Sequence, residues 1–438
     1  VLLSCFAAAT HAQSLDTLVD RDIHSLVATY EKLHAAPELS HHEEHTAAFL
    51  ASQLRSWGYA VTEHVGKYQQ TGLTGYGLVA LMKNGAGPTV LVRTELDALP
   101  VEEKTGLSYA SKVKTKNDVG QDVSVMHACG HDVHMTTLLG TAKLLAELKD
   151  KWRGTLILIG QPAEERIDGA KAMLNDGLYS RFPKPDYAIA LHDSSDLEAG
   201  KVGYTPGYAL ASSNSVDITV RGLGGHGAHP DATKDPIVLS AEIIMELQTI
   251  VSREISPLDP AVVTVGSIHG GTKHNIIPDD VHLQLTVRAY KEEVRQKILA
   301  SIARIARGNA ISAGVPDDLA PIVTVNKDEA VPATYNDPAL TERLAAVFKR
   351  ALGEENVEKR PPVMGSEDFG FFGLEGHQIP ICQFSLGAVD PVKVAESRRT
   401  GKPLPSLHSS LFQPLPEPTL RTGVIAMTAA VLDLMKPQ

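Results

Sequence analysis

Residues 154–165 read Gly154-Thr155-Leu156-Ile157-Leu158-Ile159-Gly160-Gln161-Pro162-Ala163-Glu164-Glu165. A short unbroken apolar run between glycines is the pattern of a strand buried on both faces. The proline and paired acids behind it put charge at the strand's end. Working outward, Pro88–Leu96 and Tyr187–Leu191 repeat the apolar, β-branched pattern. Helical spacing covers Asp16–His34, stopped near Pro37, and His42–Trp57, ending before Gly58. It returns over His131–Leu148, where Val133, Leu138, Ala142, Leu145 and Leu148 form one stripe. After about Pro332 the alternation resumes. Asp337 and Pro338 open a helix, Ile379–Gly387 reads as a strand, and Glu417–Met435 as a closing helix. This order predicts an α/β fold with a helix-covered, mainly parallel sheet over residues 15–210 and 327–438.

Residues 211–326 read differently. Ser215–Arg221 alternates Val216, Ile218 and Val220, as a half-buried strand does. Asp235 is a helix N-cap with Pro236 at the first helical position. Strands at Ala261–Ile268 and Val281–Ala289, a helix over Lys291–Arg307 and a strand near Ile322 complete the order β-α-β-β-α-β. That order fits an inserted α+β lid domain, ferredoxin-like, with an antiparallel sheet.

A chain of 438 residues suits more than one core. Its net charge of -11, with no basic stripe, argues against a nucleic-acid partner. Residues 1–12 (VLLSCFAAATHA) are apolar and small, and end on a small-x-small site. They read as the remnant of a signal peptide cut near Gln13, which makes the protein exported, periplasmic or secreted. An ordinary hydrophobic terminus, or a lipoprotein signal acylated at Cys5, are the alternatives. No other segment reaches the ~18 apolar residues of a membrane span. Of three cysteines, Cys129 and Cys382 lie beyond the leader, too few for a disulfide framework. A pairing of these two stays open.

The densest chemistry is Met126-His127-Ala128-Cys129-Gly130-His131-Asp132-Val133-His134. A thiolate and an imidazole two residues apart, where a loop meets a helix, can grip one transition metal. Equally, a buried cysteine and a surface histidine would look like this. Glu164 and Glu165 follow a strand, where α/β sheets bind ligands. Adjacent carboxylates diverge, so one can ligate while the other handles protons; a solvated acidic turn is the plain alternative. His192 follows another apolar run, and His408 stands alone in Pro405–Ser409.

These blocks, taken in order, resemble the aminoacylase, hippurate hydrolase and indole-acetyl-amino-acid hydrolase family of metallopeptidase-like amidohydrolases. The likeness runs through Leu33-His34, Pro37–Ser40, Asp97–Pro100, the MHACGHDVH and QPAEE blocks, and Gly169–Lys171. It continues through Leu191-His192, Gly224–Ala228, Asp235–Ile237, Asn275–Asp279, Gly365–Phe369 and Leu407-His408. It implies hydrolysis of N-acyl or N-aroyl amino acids as small-molecule substrates. Carboxypeptidase or dipeptidase activity on the same scaffold, or an inactive metal-containing binder, are the other readings.

The resemblance further implies Cys129, His131, Glu165, His192 and His408 as metal ligands and Glu164 as the catalytic base and acid. Asp97 would orient a ligand histidine. His226 would reach the reacting carbonyl, often from a partner subunit, and Asn275 and Arg288 would grip the substrate's carboxylate. Arg288 could equally be a sheet-surface charge. Zn suits the thiolate and imidazoles; Mn or Co would serve a site with carboxylates, with one or two ions per subunit. A homodimer through the inserted domain is implied as well. Three positions depart from the family pattern: Glu95, where Asp is common; Asp193, where an apolar residue is usual; and Asp231, where His is frequent.

Overall fold

The computed structural model describes residues 14–374 and 376–437, so the leader read at residues 1–12, with Cys5, lies outside the described residues. Eight strands form the larger sheet. Their order is Ala60–Thr62, Leu78–Asn84, Gly154–Gln161, Thr89–Glu95, Tyr187–Glu198, Ile381–Val389, Val202–Tyr204 and Val357–Lys359. The four central strands, Gly154–Gln161 through Ile381–Val389, run parallel. Antiparallel partners flank them on both sides.

Alternation within the apolar runs feeds two cores at once. Leu156, Leu158, Val90 and Val92 join one buried cluster, whereas Ile157, Ile159 and Leu91 join the other. The first face is covered by helices Leu15–His34, Glu44–Ser56, His131–Glu147, Pro338–Leu352 and Pro416–Leu434. The second is closed by Gly169–Asn175 and the turn Asp368–Gly373. A strand with both faces covered needs apolar residues at every position, which is why these runs do not alternate with polar ones.

Two readings change. His131–Glu147 is buried almost all round, not along one stripe, because it packs between helices Leu15–His34 and Pro416–Leu434 and against the sheet. The strand read as Tyr187–Leu191 continues to Glu198. Its polar extension pairs with Ile381–Val389, where Ser385 faces His192 and Leu386 faces Asp193. Backbone pairing carries the strand on regardless of side-chain polarity.

A second, four-stranded sheet has the order Ala261–Gly270, Asp280–Ala289, Ser212–Arg221, Ile322–Val331, antiparallel throughout. In chain order this is β-α-β-β-α-β, with helices Pro236–Thr249 and Glu292–Ser312. Asp235 caps the first helix by accepting the N–H groups of Ile237 and Val238. Val216, Ile218, Val220, Leu283 and Leu285 point into a core separate from the other two.

Candidate metal centre and active site

The parallel strands deliver their C-terminal ends to one edge of the larger sheet. Glu95 and Gln161 end their strands in register. Behind Gln161, Ala163 takes a left-handed conformation (φ 48°) that turns Glu164 and Glu165 away from the strand direction. Gly130 is also left-handed (φ 76°), and a Cβ there would stand 2.0 Å from Asp193 Oδ2. Only glycine fits a position with positive φ and no room for a side chain. It places His131 at the first turn of its helix, facing the same edge.

Hydrogen bonds aim the histidines. His131 Nδ1 lies 2.8 Å from the backbone oxygen of Asp97, and His192 Nδ1 lies 2.8 Å from that of Asp193. A carbonyl only accepts, so each Nδ1 carries the proton and each Nε2 is left as a donor toward a metal. His192 Nε2 is 3.6 Å from Cys129 Sγ, and His408 Nε2 is 3.5 Å from Glu165 Oε2. His408 is itself left-handed (φ 66°), its N–H donating to Ala128 O at 2.8 Å. The ligand atoms of Cys129, His131 and His192 all lie within 4.8 Å of one another, as do those of Cys129, Glu165 and His408. His131, Glu164 and Glu165 make a third such group. The five residues expected as ligands thus meet, with Glu164 beside them.

Two observations fit a cation here. His131 Nε2 and Glu165 Oε1 are buried with no hydrogen-bond partner among the described residues, which is costly unless something else engages them. The electrostatics point the same way. Burial and then the Glu165 and Glu164 carboxylates push the Cys129 thiol well above its usual range. Burial, partly opposed by His131, holds Glu165 up at about 7. Burial works against charge on His131, yet Asp97 and Glu95 outweigh it and raise that ring to about 10. The acids therefore favour positive charge where a metal would sit. Thiolate, imidazole and carboxylate donors together suit a divalent transition metal.

Around this centre lies a charge network that sequence reading did not single out. Arg93, fully buried, donates to Glu95, to Glu367 Oε1 at 2.7 Å, to Asp368 Oδ1 at 3.0 Å and to Gln161 Oε1 at 2.9 Å. It clasps segments 274 residues apart in the chain. A charged side chain inside the apolar run Thr89–Glu95 was the available signal. The unusual Glu95 and Asp193 converge on His134. Its Nδ1 lies 2.9 Å from Glu95 Oε2, and its Nε2 lies 2.9 Å from the Asp193 backbone nitrogen and 3.2 Å from Asp193 Oδ1; burial opposes charge on the ring, but Glu95 and Asp193 raise it to about 9. His34 sits between Asp132 Oδ2 at 2.6 Å and Glu103 Oε1 at 3.2 Å; burial opposes its charge, but the two acids raise it to about 10. Glu164 is held well above the normal carboxyl range by burial and then by Glu367 and Glu165.

The other candidates are placed apart. Arg288 is half-buried, neither paired to a carboxylate nor free on the sheet surface. It donates to Ser366 Oγ at 2.6 Å and Thr286 Oγ1 at 3.2 Å. His226 and Asn275 are exposed and lie near each other, through the ladder pairing His226 with Ile276 and the Gly227 N–H to Asn275 O bond. Among the described residues, no hydrogen bond or ion pair links either to the Cys129 cluster. Asp231 is exposed in the turn Pro230–Ala232. Cys129 and Cys382 are both free and buried, so they do not pair.

Comparison with known proteins gives this arrangement its place. The model of peptidase family M20/M25/M40 matches residues 91–398. The chain belongs to that family. Among M20-like relatives, the hippurate hydrolase of Campylobacter jejuni is 38% identical over 356 residues, 80% of this chain and 86% of that protein. Thermostable carboxypeptidase 1 of Saccharolobus solfataricus is 35% identical over 403 residues, 92% of this chain and 93% of that one. A solved Bacillus subtilis structure, described as a dinuclear metal binding peptidase from the M20 family, shares 25% identity with a TM-score of 0.74. That likeness covers 95% of this chain and 99% of the other. Together with the donor set, it supports a divalent metal in this M20 protein. No helix of the described residues is long and apolar enough to cross a membrane.

Proposed function

We propose that this M20 protein hydrolyses the amide bond of N-acyl or N-aroyl amino acids, releasing a carboxylic acid and a free amino acid. The observation that carries the reading is the meeting of Cys129, His131 and His192 ligand atoms within 4.8 Å, beside the unpartnered oxygen of Glu165. Cys129, His131, Glu165, His192 and His408 would hold the metal: Zn or Mn, with Co as a third choice, one or two ions per subunit. When bound, the metal polarises the scissile carbonyl and acidifies a water. Glu164 takes the water's proton and passes it to the leaving nitrogen, a task suited to a carboxyl whose proton affinity is raised by burial. Asp97 turns His131 toward the centre through its backbone oxygen.

Arg288 and Asn275 grip the free carboxylate of the substrate. In support, Arg288 is half-buried, yet its hydrogen-bond partners among the described residues are the hydroxyl oxygens of Ser366 and Thr286. His226 reaches the reacting carbonyl from the partner subunit of a homodimer. Among the described residues, strand Ala261–Gly270 has a neighbour on one side only; its Ile268 is exposed, as are Val238 and Met245 (71% exposed) on helix Pro236–Thr249, which packs against that strand. An open strand edge with exposed apolar residues is a pairing surface. The sequence of residues 1–12 supports export to the periplasm or beyond.

A second reading, a carboxypeptidase or dipeptidase, draws on the Saccharolobus relative, whose likeness covers more of this chain. Release of amine from N-benzoylglycine, N-acetyl amino acids and a dipeptide decides between them, with and without chelator. Chelator-sensitive turnover of the acyl amino acids above the dipeptide is expected. Binding of all three without turnover would mean a metal-containing binder and sink the proposal.

A further inference from the structure

Glu43 occupies the N-cap position of helix Glu44–Ser56, where a carboxylate ordinarily turns back to accept an N–H of its own helix. It makes no such bond. Its side chain is fully buried, and Oε1 instead accepts the N–H of His41 at 3.0 Å and the N–H of Ala163 at 2.7 Å. Ala163 is the left-handed residue directly before Glu164. On the other side, the Glu165 N–H donates to Asp97 Oδ2 at 2.9 Å, and Asp97 is fixed by the Ser40 hydroxyl at 2.7 Å. The corner Ala163–Glu165 is therefore held by a buried carboxylate at each end, with Glu164 between them. One buried carboxyl oxygen shared by two peptide N–H groups ties both segments together, and a left-handed alanine persists only where its surroundings over-determine it.

We propose that Glu43 is a positioning residue for amide hydrolysis: by holding the Ala163 peptide in its left-handed turn, it fixes the direction in which Glu164 meets water and leaving nitrogen. The proposal rests on the reading of Glu164 as the proton carrier. Asp97 serves the ligand side of the corner, and Glu43 serves the side that moves protons. Its other oxygen, Oε2, has no partner among the described residues, so holding these two amides is its whole hydrogen-bonded engagement.

The test uses the full chain reconstituted with Zn or Mn, comparing Glu43→Ala and Glu43→Gln with the parent. Four quantities are read: kcat, KM, metal content, and hydrogen-exchange protection of the peptide covering residues 162–167. Glu43→Ala is expected to lose that protection and about 10²-fold in kcat, because a small misplacement of a reacting group costs that much. KM and metal content should stay near the parent's. Glu43→Gln keeps an oxygen that accepts both amides, so it should restore protection and most of kcat. Should Glu43→Ala not fold, Glu43→Asp, one methylene short of Ala163, is expected to show the same kcat loss in a folded protein. Lost protection with parental kcat would overturn the proposal. So would a loss of metal matching the loss of activity, since the corner would then serve Glu165. If Glu164→Gln itself leaves kcat unchanged, the underlying reading has failed and not this one alone.

Discussion

The two sheets treat charge in opposite ways. At the C-terminal edge of the eight-stranded sheet, Arg93, Glu95, Asp97, His131, His134, Glu164, Asp193, Glu367 and Asp368 are all buried. Among the described residues 211–326, every charged side chain is at least partly exposed, and the buried polar residues, such as Asn214, Ser240 and Ser301, are uncharged. Burying ions costs several kcal/mol each unless they are paired and hydrogen-bonded. The region of the four-stranded sheet bears no such cost: its proposed substrate-binding groups, Arg288, Asn275 and His226, are half-buried or exposed. The larger sheet concentrates the cost at one edge, and perturbed groups cluster where chemistry is done.

That contrast can be broken at several points. Glu164→Gln should lose on the order of 10²–10⁴-fold in kcat while keeping its metal, since it removes proton transfer alone. Metal loss with undiminished turnover would remove Glu164 from the mechanism. Arg93→Met should destabilise the fold by about 3–5 kcal/mol, because Glu95, Glu367 and Asp368 would be left buried without their cation. Denaturant unfolding measures this, and a change near zero would mean the network is not coupled to stability.

His34 sharpens the comparison through pH. Its ring is raised from 6.5 to about 10 in the folded protein, so its ion pairs stabilise fully below the unfolded value. The advantage of the parent over His34→Gln should fade as pH rises from 6.5 toward about 10. A difference in melting temperature that is flat across that window would contradict a charged His34.

Smaller effects are expected from the insert. Arg288→Ala should raise KM roughly 10-fold for substrates with a free carboxylate, with less effect on carboxamide analogues. Equal effects on both would remove the carboxylate clamp. The smallest effect belongs to Arg304→Ala, which removes a surface pair with Glu254 in the insert and should cost about 0–1 kcal/mol. A cost rivalling that of Arg93→Met would erase the distinction between the two regions.

How far the sequence could be read follows the range of the forces involved. The strands Thr89–Glu95 and Gly154–Gln161 and the order β-α-β-β-α-β were legible because burial on two faces, or on one, stamps a local pattern on the chain. His192 was placed at a strand end, yet the strand runs on to Glu198, because its continuation depends on pairing with Ile381–Val389, far along the chain, and a pairing leaves no local signature even where both strands do. Glu165 and His192 stood out after strands, and Cys129 and His131 where a loop meets a helix; His408 stood alone and entered the ligand set only through the family resemblance. Arg93, His134 and Glu43 did not stand out, although their partners build the site.

The amino-acid sequence by itself determined which segments would be buried strands and helices, and which carboxylates, thiol and imidazoles would lie at their ends. Periodicity and turn chemistry act over a few residues, so they are written locally. Only the tertiary structure decided that Glu43 meets Ala163 across 120 residues, that Arg93 meets Glu367 across 274, and that His131 Nε2 is buried with no hydrogen-bond partner among the described residues. The two pairings hold because a polar or charged group is costly in a dry interior without a partner, and which neighbour supplies one is fixed only when the chain has closed.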